Sequence, residues 1–251
     1  VTRHVEHVMG TVFSFDVRDG GFEGVELAIA EAVEWLHRVD ETFSTYRPES
    51  VVSRLDRGEI TLAGCPPEVA EVLRLCDEAS RVSRGYFTSH PGGRLDPSAV
   101  VKGWAIERAS RILTRAGAAN HCVNGGGDVR LTGSAASGSP WRVGIAHPLR
   151  PGELAAVVTG RDLAVATSGT AERGAHIVDP HTGRPATALA SITLIGESLT
   201  MTDAYATAAF AMGDAARDWV RELEGFEAFA VTASGSTWHT GDFPKLAILT
   251  D

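Results

Sequence analysis

The chain predicts an α+β fold, one large domain (1–251) of mostly antiparallel sheet with packed helices. Three observations predict it. Helical periodicity is grouped early and late in the chain, a run of short strands with Gly and Pro punctuation fills the middle, and the strand–helix alternation of a doubly wound fold does not occur. Residues 9–17 alternate apolar and polar side chains and read as a strand. Residues 22–40 form the clearest helix, with Val25, Ala28, Ile29, Ala32, Val33, Leu36 and Val39 recurring on one face. Residues 66–82 read as a second helix, with Pro66 at its start and Gly85 just beyond its end. Residues 103–116 form a third, closed by Gly117. Short strands are expected at 121–123, 128–132, 141–147, 154–159, 163–167 and 191–196. Helices at 202–212 and 215–223 precede strands at 228–233 and 246–249. Residues 134–140 are a loop by composition.

The bulk numbers narrow the function class. Of 251 residues, 43% are apolar and 22% charged, ordinary values for a soluble chain with a substantial core. A net charge of −9 argues against nucleic-acid binding by phosphate neutralisation, though not against a nucleotide ligand. No apolar run reaches the length of a membrane span. Cys65, Cys76 and Cys122 are widely spaced and lack a CxxC pair, as expected of reduced thiols. The opening Val-Thr-Arg-His-Val-Glu-His-Val-Met-Gly has no charged-then-apolar leader and no lipid-acceptor Cys. A cytoplasmic location is therefore expected, unless a leader was removed.

The stretch 199–213 carries the most chemistry. It reads as a helix of small and apolar residues that nevertheless bears Asp203 and, one turn further on the same face, Thr207. A buried Asp needs a partner, and a hard cation such as Mg²⁺ is one candidate. An Asp near a helix start, with Thr207 bonded to its own backbone, is the other reading. Lys102 stands near a predicted helix start, against the macrodipole, so either an anion such as phosphate joins it there or it is a solvated surface Lys. Asn124-Gly125-Gly126-Gly127-Asp128 lets backbone approach a ligand closely, or is a plain tight hairpin; it has neither the dinucleotide nor the P-loop layout. Ala166-Thr167-Ser168-Gly169-Thr170 offers hydroxyls and amides to phosphate, or is an ordinary turn. Tyr46 in the loop after the first helix stacks on a planar ligand or covers the core edge. His176 and its polar, turn-rich surroundings to Pro185 supply a ligand contact or proton carrier, although an Asx-type turn accounts for Asp179-Pro180.

The ordered set Met9-Gly10-Thr11, Phe43-Ser44-Thr45-Tyr46, Lys102-Gly103, Gly126-Gly127-Asp128, Ala166-Thr167-Ser168-Gly169, His176-Ile177-Val178-Asp179-Pro180-His181-Thr182-Gly183 and Thr202-Asp203-Ala204-Tyr205-Ala206-Thr207 closely resembles the ApbE family of FAD:protein FMN transferases. The resemblance implies Mg²⁺ held by Asp203, Thr207 and the carbonyl of Ala99. It implies FAD contacts at Met9, Tyr46, Tyr86, Phe87, Thr88, Asp96, Lys102, His176, Ile177, Val178 and Ala206. It further implies transfer of FMN to a Thr or Ser hydroxyl of a partner flavoprotein with release of AMP. Lys102, Asp203 and His176 would be catalytic, with Asp203 or His176 as the base. An FAD pyrophosphatase and a non-catalytic flavin carrier are the rivals. The chain departs from the family pattern in a short connection between Phe87 and Asp96, in Thr88 for the usual Asp, in Asp56 for a frequent Asn, and in Pro97-Ser98 for Leu-Gly.

Overall fold

A computed structural model of the chain describes residues 1–19, 24–170, 174 and 177–250. In chain order the elements are β1 (Thr2–Val8), β2 (Thr11–Val17), α1 (Val25–Phe43), α2 (Val51–Asp56), α3 (Pro67–Val82), α4 (Ser98–Arg115), β3 (His121–Gly125), β4 (Asp128–Thr132), β5 (Trp141–Ala146), β6 (Leu154–Gly160), β7 (Ala164–Gly169), β8 (Val178–Asp179), β9 (Arg184–Pro185), β10 (Leu189–Gly196), α5 (Leu199–Met212), α6 (Ala216–Glu222), β11 (Glu227–Thr232), β12 (Thr237–His239), α7 (Phe243–Leu246) and β13 (Ala247–Leu249).

Eight strands form one sheet in the order β1-β2-β3-β4-β7-β10-β11-β12, and every neighbouring pair is antiparallel. A smaller sheet, β13-β6-β5, flanks it. The α+β class expected from the sequence is the class observed. β10 is buried along its whole length, as a strand covered on both faces must be. β2 instead alternates, burying Phe13, Phe15 and Val17. α1 turns its apolar stripe inward, and its Trp35 donates a hydrogen bond to the Ala105 carbonyl of α4. α5 is buried nearly all round, so it sits against the sheet, under α4, rather than on the surface.

Several boundaries differ from the expectation for physical reasons. The strand expected at 9–17 begins at Thr11, because Met9 (φ 55°) and Gly10 (φ 68°) form the left-handed turn of a hairpin whose first arm, β1, the alternation did not separate. The first helix runs from Val25 to Phe43, later at both ends than 22–40. The third helix begins at Ser98 rather than 103: Pro97 tolerates the helix start and the Asp96 carboxylate accepts from the Ser98 amide. Lys102 therefore lies inside α4 and not ahead of it. α2 was missed, although the Ser50 hydroxyl caps the Ser53 amide at 3.1 Å, a local signal. The expected 246–249 strand divides into α7 and β13. Gly126 and Gly127, both at positive φ, form the β3–β4 hairpin turn.

Candidate active site

The chemistry collects where α4 crosses α5 above one end of β4 and β7. Gly103 makes the crossing close. A Cβ there would lie 2.5 Å from the Leu199 carbonyl oxygen and 2.9 Å from the Asp203 Cβ, so only glycine admits α5 at this distance. The Gly103 amide donates to the Asp203 carboxylate at 3.0 Å.

Asp203 is 4% exposed and Asp128, at the start of β4, is 1% exposed. Lys102 Nζ lies 2.5 Å from Asp128 Oδ2 and 3.9 Å from Asp203 Oδ1. The other Asp128 oxygen accepts from the Thr167 amide at 3.0 Å, while Oδ2, though within ion-pair reach of Lys102, has no partner in hydrogen-bond geometry among the described residues. Two buried carboxylates thus share one ammonium. Burial pushes Asp203 well above the ordinary carboxylate range; Lys102 works against this, and the neighbouring Asp128 adds to it. Thr207, one turn after Asp203, has its hydroxyl 3.4 Å from that of Ser168 on β7.

A second feature lies at the amino-terminal approach to α4. The short 87–96 connection holds a 3-10 turn at Pro91–Gly93 and is tied to α2 through Asp56, which accepts from the Leu95 amide (2.8 Å) and from Arg94 Nε (2.5 Å). The amide and then the guanidinium hold the Asp56 carboxyl below its usual range. Thr45, Asp56, Arg94 and Asp96 line a polar pocket of about 230 Å³ there. A roomier groove of about 420 Å³ between β1 and α1, lined by His4, Glu26, Ile29, Val33, Glu34 and His37, contains none of the predicted site residues.

A model of the ApbE family matches residues 9–90 and 88–230. The chain belongs to the ApbE family. A Rhodobacter capsulatus protein named FAD:protein FMN transferase is 32% identical over 211 residues, covering 81% of this chain and 37% of its own length. A Salmonella typhimurium protein of the same name is 30% identical over 167 residues, covering 61% of this chain and 48% of its own length. This chain therefore spans less than half the length of these two curated relatives. Solved ApbE structures share the fold: the Thermotoga maritima ApbE protein superposes with a TM-score of 0.88 at 22% identity, covering 98% of each chain. The Pseudomonas stutzeri flavinyl transferase ApbE gives 0.81 at 24% identity, covering 98% of this chain and 97% of its own.

The structure brings Ala99, Lys102, Asp203 and Thr207 of this family member to the α4–α5 crossing. Asp96 faces the polar pocket, and Tyr46, beside Thr45 of that pocket, is 93% exposed. Tyr86 packs edge-on against His181, with centroids 4.5 Å apart, so the β8–β9 hairpin and the end of α3 meet. Met9 is half-buried in the hairpin turn, Ile177 is buried and Val178 exposed, and the Thr88 hydroxyl accepts from the His90 amide. His176 lies outside the described residues. The Phe87 (1% exposed) and Ala206 (fully buried) side chains pack into the core. Within the protein, the anion nearest Lys102 is Asp128. Asp128 is a site residue that the motifs do not single out; an acid directly after a Gly-Gly turn, entering a buried strand, is its only local signal.

Proposed function

We propose that this chain is a Mg²⁺-dependent FAD:protein FMN transferase, which cleaves the FAD pyrophosphate, joins FMN by a phosphoester to a Thr or Ser hydroxyl of an acceptor flavoprotein, and releases AMP. The observation that carries the reading is the pair of buried carboxylates, Asp203 and Asp128, sharing the single Lys102 ammonium. That pair lies within the span matched by the family model, and relatives carrying that name support the assignment.

A hard divalent cation suits this place. Two buried carboxylates face one ammonium, and the donors at hand are all oxygens. Asp203, the Thr207 hydroxyl and the Ala99 carbonyl would hold it, as the family resemblance implies. When bound, Mg²⁺ neutralises charge developing on the pyrophosphate. Lys102, fixed by Asp128 and partly exposed, would bring a second positive charge to the same oxygens. Met9, Tyr46, Tyr86, Thr88, Asp96, Ile177 and Val178 would line the dinucleotide site. We assign proton removal from the acceptor hydroxyl to His176, since an Asp engaged by a divalent cation is a poor base.

Incubation with FAD, Mg²⁺ and a peptide bearing an acceptor Thr, followed by mass spectrometry, tests this reading. A peptide heavier by one FMN unit is expected. Free FMN and AMP with unmodified peptide would make the chain a pyrophosphatase, and intact FAD would make it a carrier.

A further inference from the structure

We infer that Glu107 is a positioning residue of this site: from α4 its carboxylate caps the amino terminus of α5 and so sets where Asp203 and Thr207 stand against Lys102 and Ala99. The inference rests on the Mg²⁺-dependent reading above and adds a residue to it.

α5 does not cap itself. Ser198 occupies the N-cap position but makes no side-chain bond to the first amides of the helix. Its hydroxyl instead donates to Glu107 Oε2 at 2.8 Å, and the same oxygen accepts from the Thr200 amide (3.0 Å) and the Thr200 hydroxyl (2.8 Å). Glu107 Oε1 pairs with Arg111 at 2.8 Å. The residue is only 7% exposed, so both oxygens are committed. Burial alone would raise its pKa, but the Thr200 amide, the two hydroxyls and Arg111 outweigh it and hold the carboxyl below its usual range. An ionised carboxylate at this end of α5 also complements the helix dipole.

Gly103 and Glu107 stand one turn apart on α4 and make two ties of opposite sense. At Gly103 an α4 amide holds an α5 carboxylate; at Glu107 an α4 carboxylate holds an α5 amide. α5 packs through small side chains as well as the buried Leu199, Tyr205 and Phe210, and the two polar ties to α4 add a directional constraint on its register. An α-helix rises about 1.5 Å per residue, and ligating side chains tolerate displacements of about 0.5 Å, so a fraction of one residue's slip disrupts the site.

The test uses Glu107→Gln, which keeps the side-chain volume and removes the charge, with Thr200→Val approaching the same cap from α5. The Mg²⁺ concentration for half-saturation is read twice, by calorimetric titration and by turnover against Mg²⁺. Glu107→Gln is expected to raise it about tenfold in both, in line with outer-sphere positioning residues, while kcat at saturating Mg²⁺ recovers and the FAD KM stays near the native value. The Thr200→Val shift should be smaller and non-additive with it. Leu113→Ala, a core substitution in the last turn of α4, should lower Tm without moving the Mg²⁺ midpoint. A Glu107→Gln protein of reduced Tm but native Mg²⁺ midpoint, or an equal shift in Leu113→Ala, overturns the inference alone. A native protein with no Mg²⁺ response in either readout overturns the site reading and the inference together.

Discussion

Asp56 and Asp203 each accept a backbone amide from a neighbouring segment and each face one cation, yet their environments push them in opposite directions. Asp56 has the Leu95 amide and its own Arg94 at the rim of an open polar pocket, and its carboxyl is held below the usual range. Asp203 has the Gly103 amide and a more distant ammonium, already committed to Asp128, in a seam closed to water; its carboxyl is pushed up. Glu107 separates the two causes. It is buried like Asp203, but four donors and partners surround it, and it titrates low like Asp56. The supply of donors therefore decides whether a carboxylate is satisfied, and burial decides how much an unmet demand matters. Asp56 anchors a loop; Asp203 is the carboxylate to which the proposed function gives a cation.

The contrast can be broken most directly at Asp203. Asp203→Ala should lower turnover by about 10³-fold or more with the circular dichroism spectrum unchanged, because a cation ligand is lost and no packing volume of the core is. Retained activity would mean that the carboxylate demand is met internally. Lys102→Met should reduce kcat by about 10²-fold, the scale for removing one group aimed at developing charge; steady-state kinetics at saturating FAD would report it. Gly103→Ala acts on the seam itself. The added Cβ should separate α4 from α5 and lower Tm by about 3–10 °C, read by calorimetry, with activity falling in step. The smallest effect is expected on the open side. Arg94→Ala should leave Tm and kcat near native and change the FAD KM by a few-fold at most, as for other exposed ion pairs. A kcat loss in Arg94→Ala comparable to that of Lys102→Met would erase the distinction between the two regions.

Elements with strong local patterns were readable in advance. The α1 stripe from Val25 to Val39, the Pro start of α3 and the alternating middle strands depend on neighbours in sequence, and they were placed to within a few residues. β1 escaped because Met9 adopts a positive φ that a non-glycine residue does not advertise, so two arms of a hairpin looked like one strand and its approach. α4 began early because Asp96 and Pro97 organise its first turn, a capping detail weaker than the Gly103–Gly117 punctuation. At the site, Asp203 and Thr207 were legible as polar residues one turn apart on an apolar helix. That the Phe87 and Ala206 side chains turn into the core was not legible, because position within a motif does not say which way a side chain points.

Periodicity, turn chemistry and the ordered motifs determined the α+β class, most of its elements, the family, and the polar residues worth watching. Only the tertiary structure decided which of those residues meet. The Gly103–Asp203 bond joins positions 100 residues apart and the Glu107–Thr200 bond positions 93 apart. Local sequence patterns report on neighbours along one helix or strand, whereas the demand of a buried charge is met or left unmet by whatever groups packing brings from elsewhere in the chain.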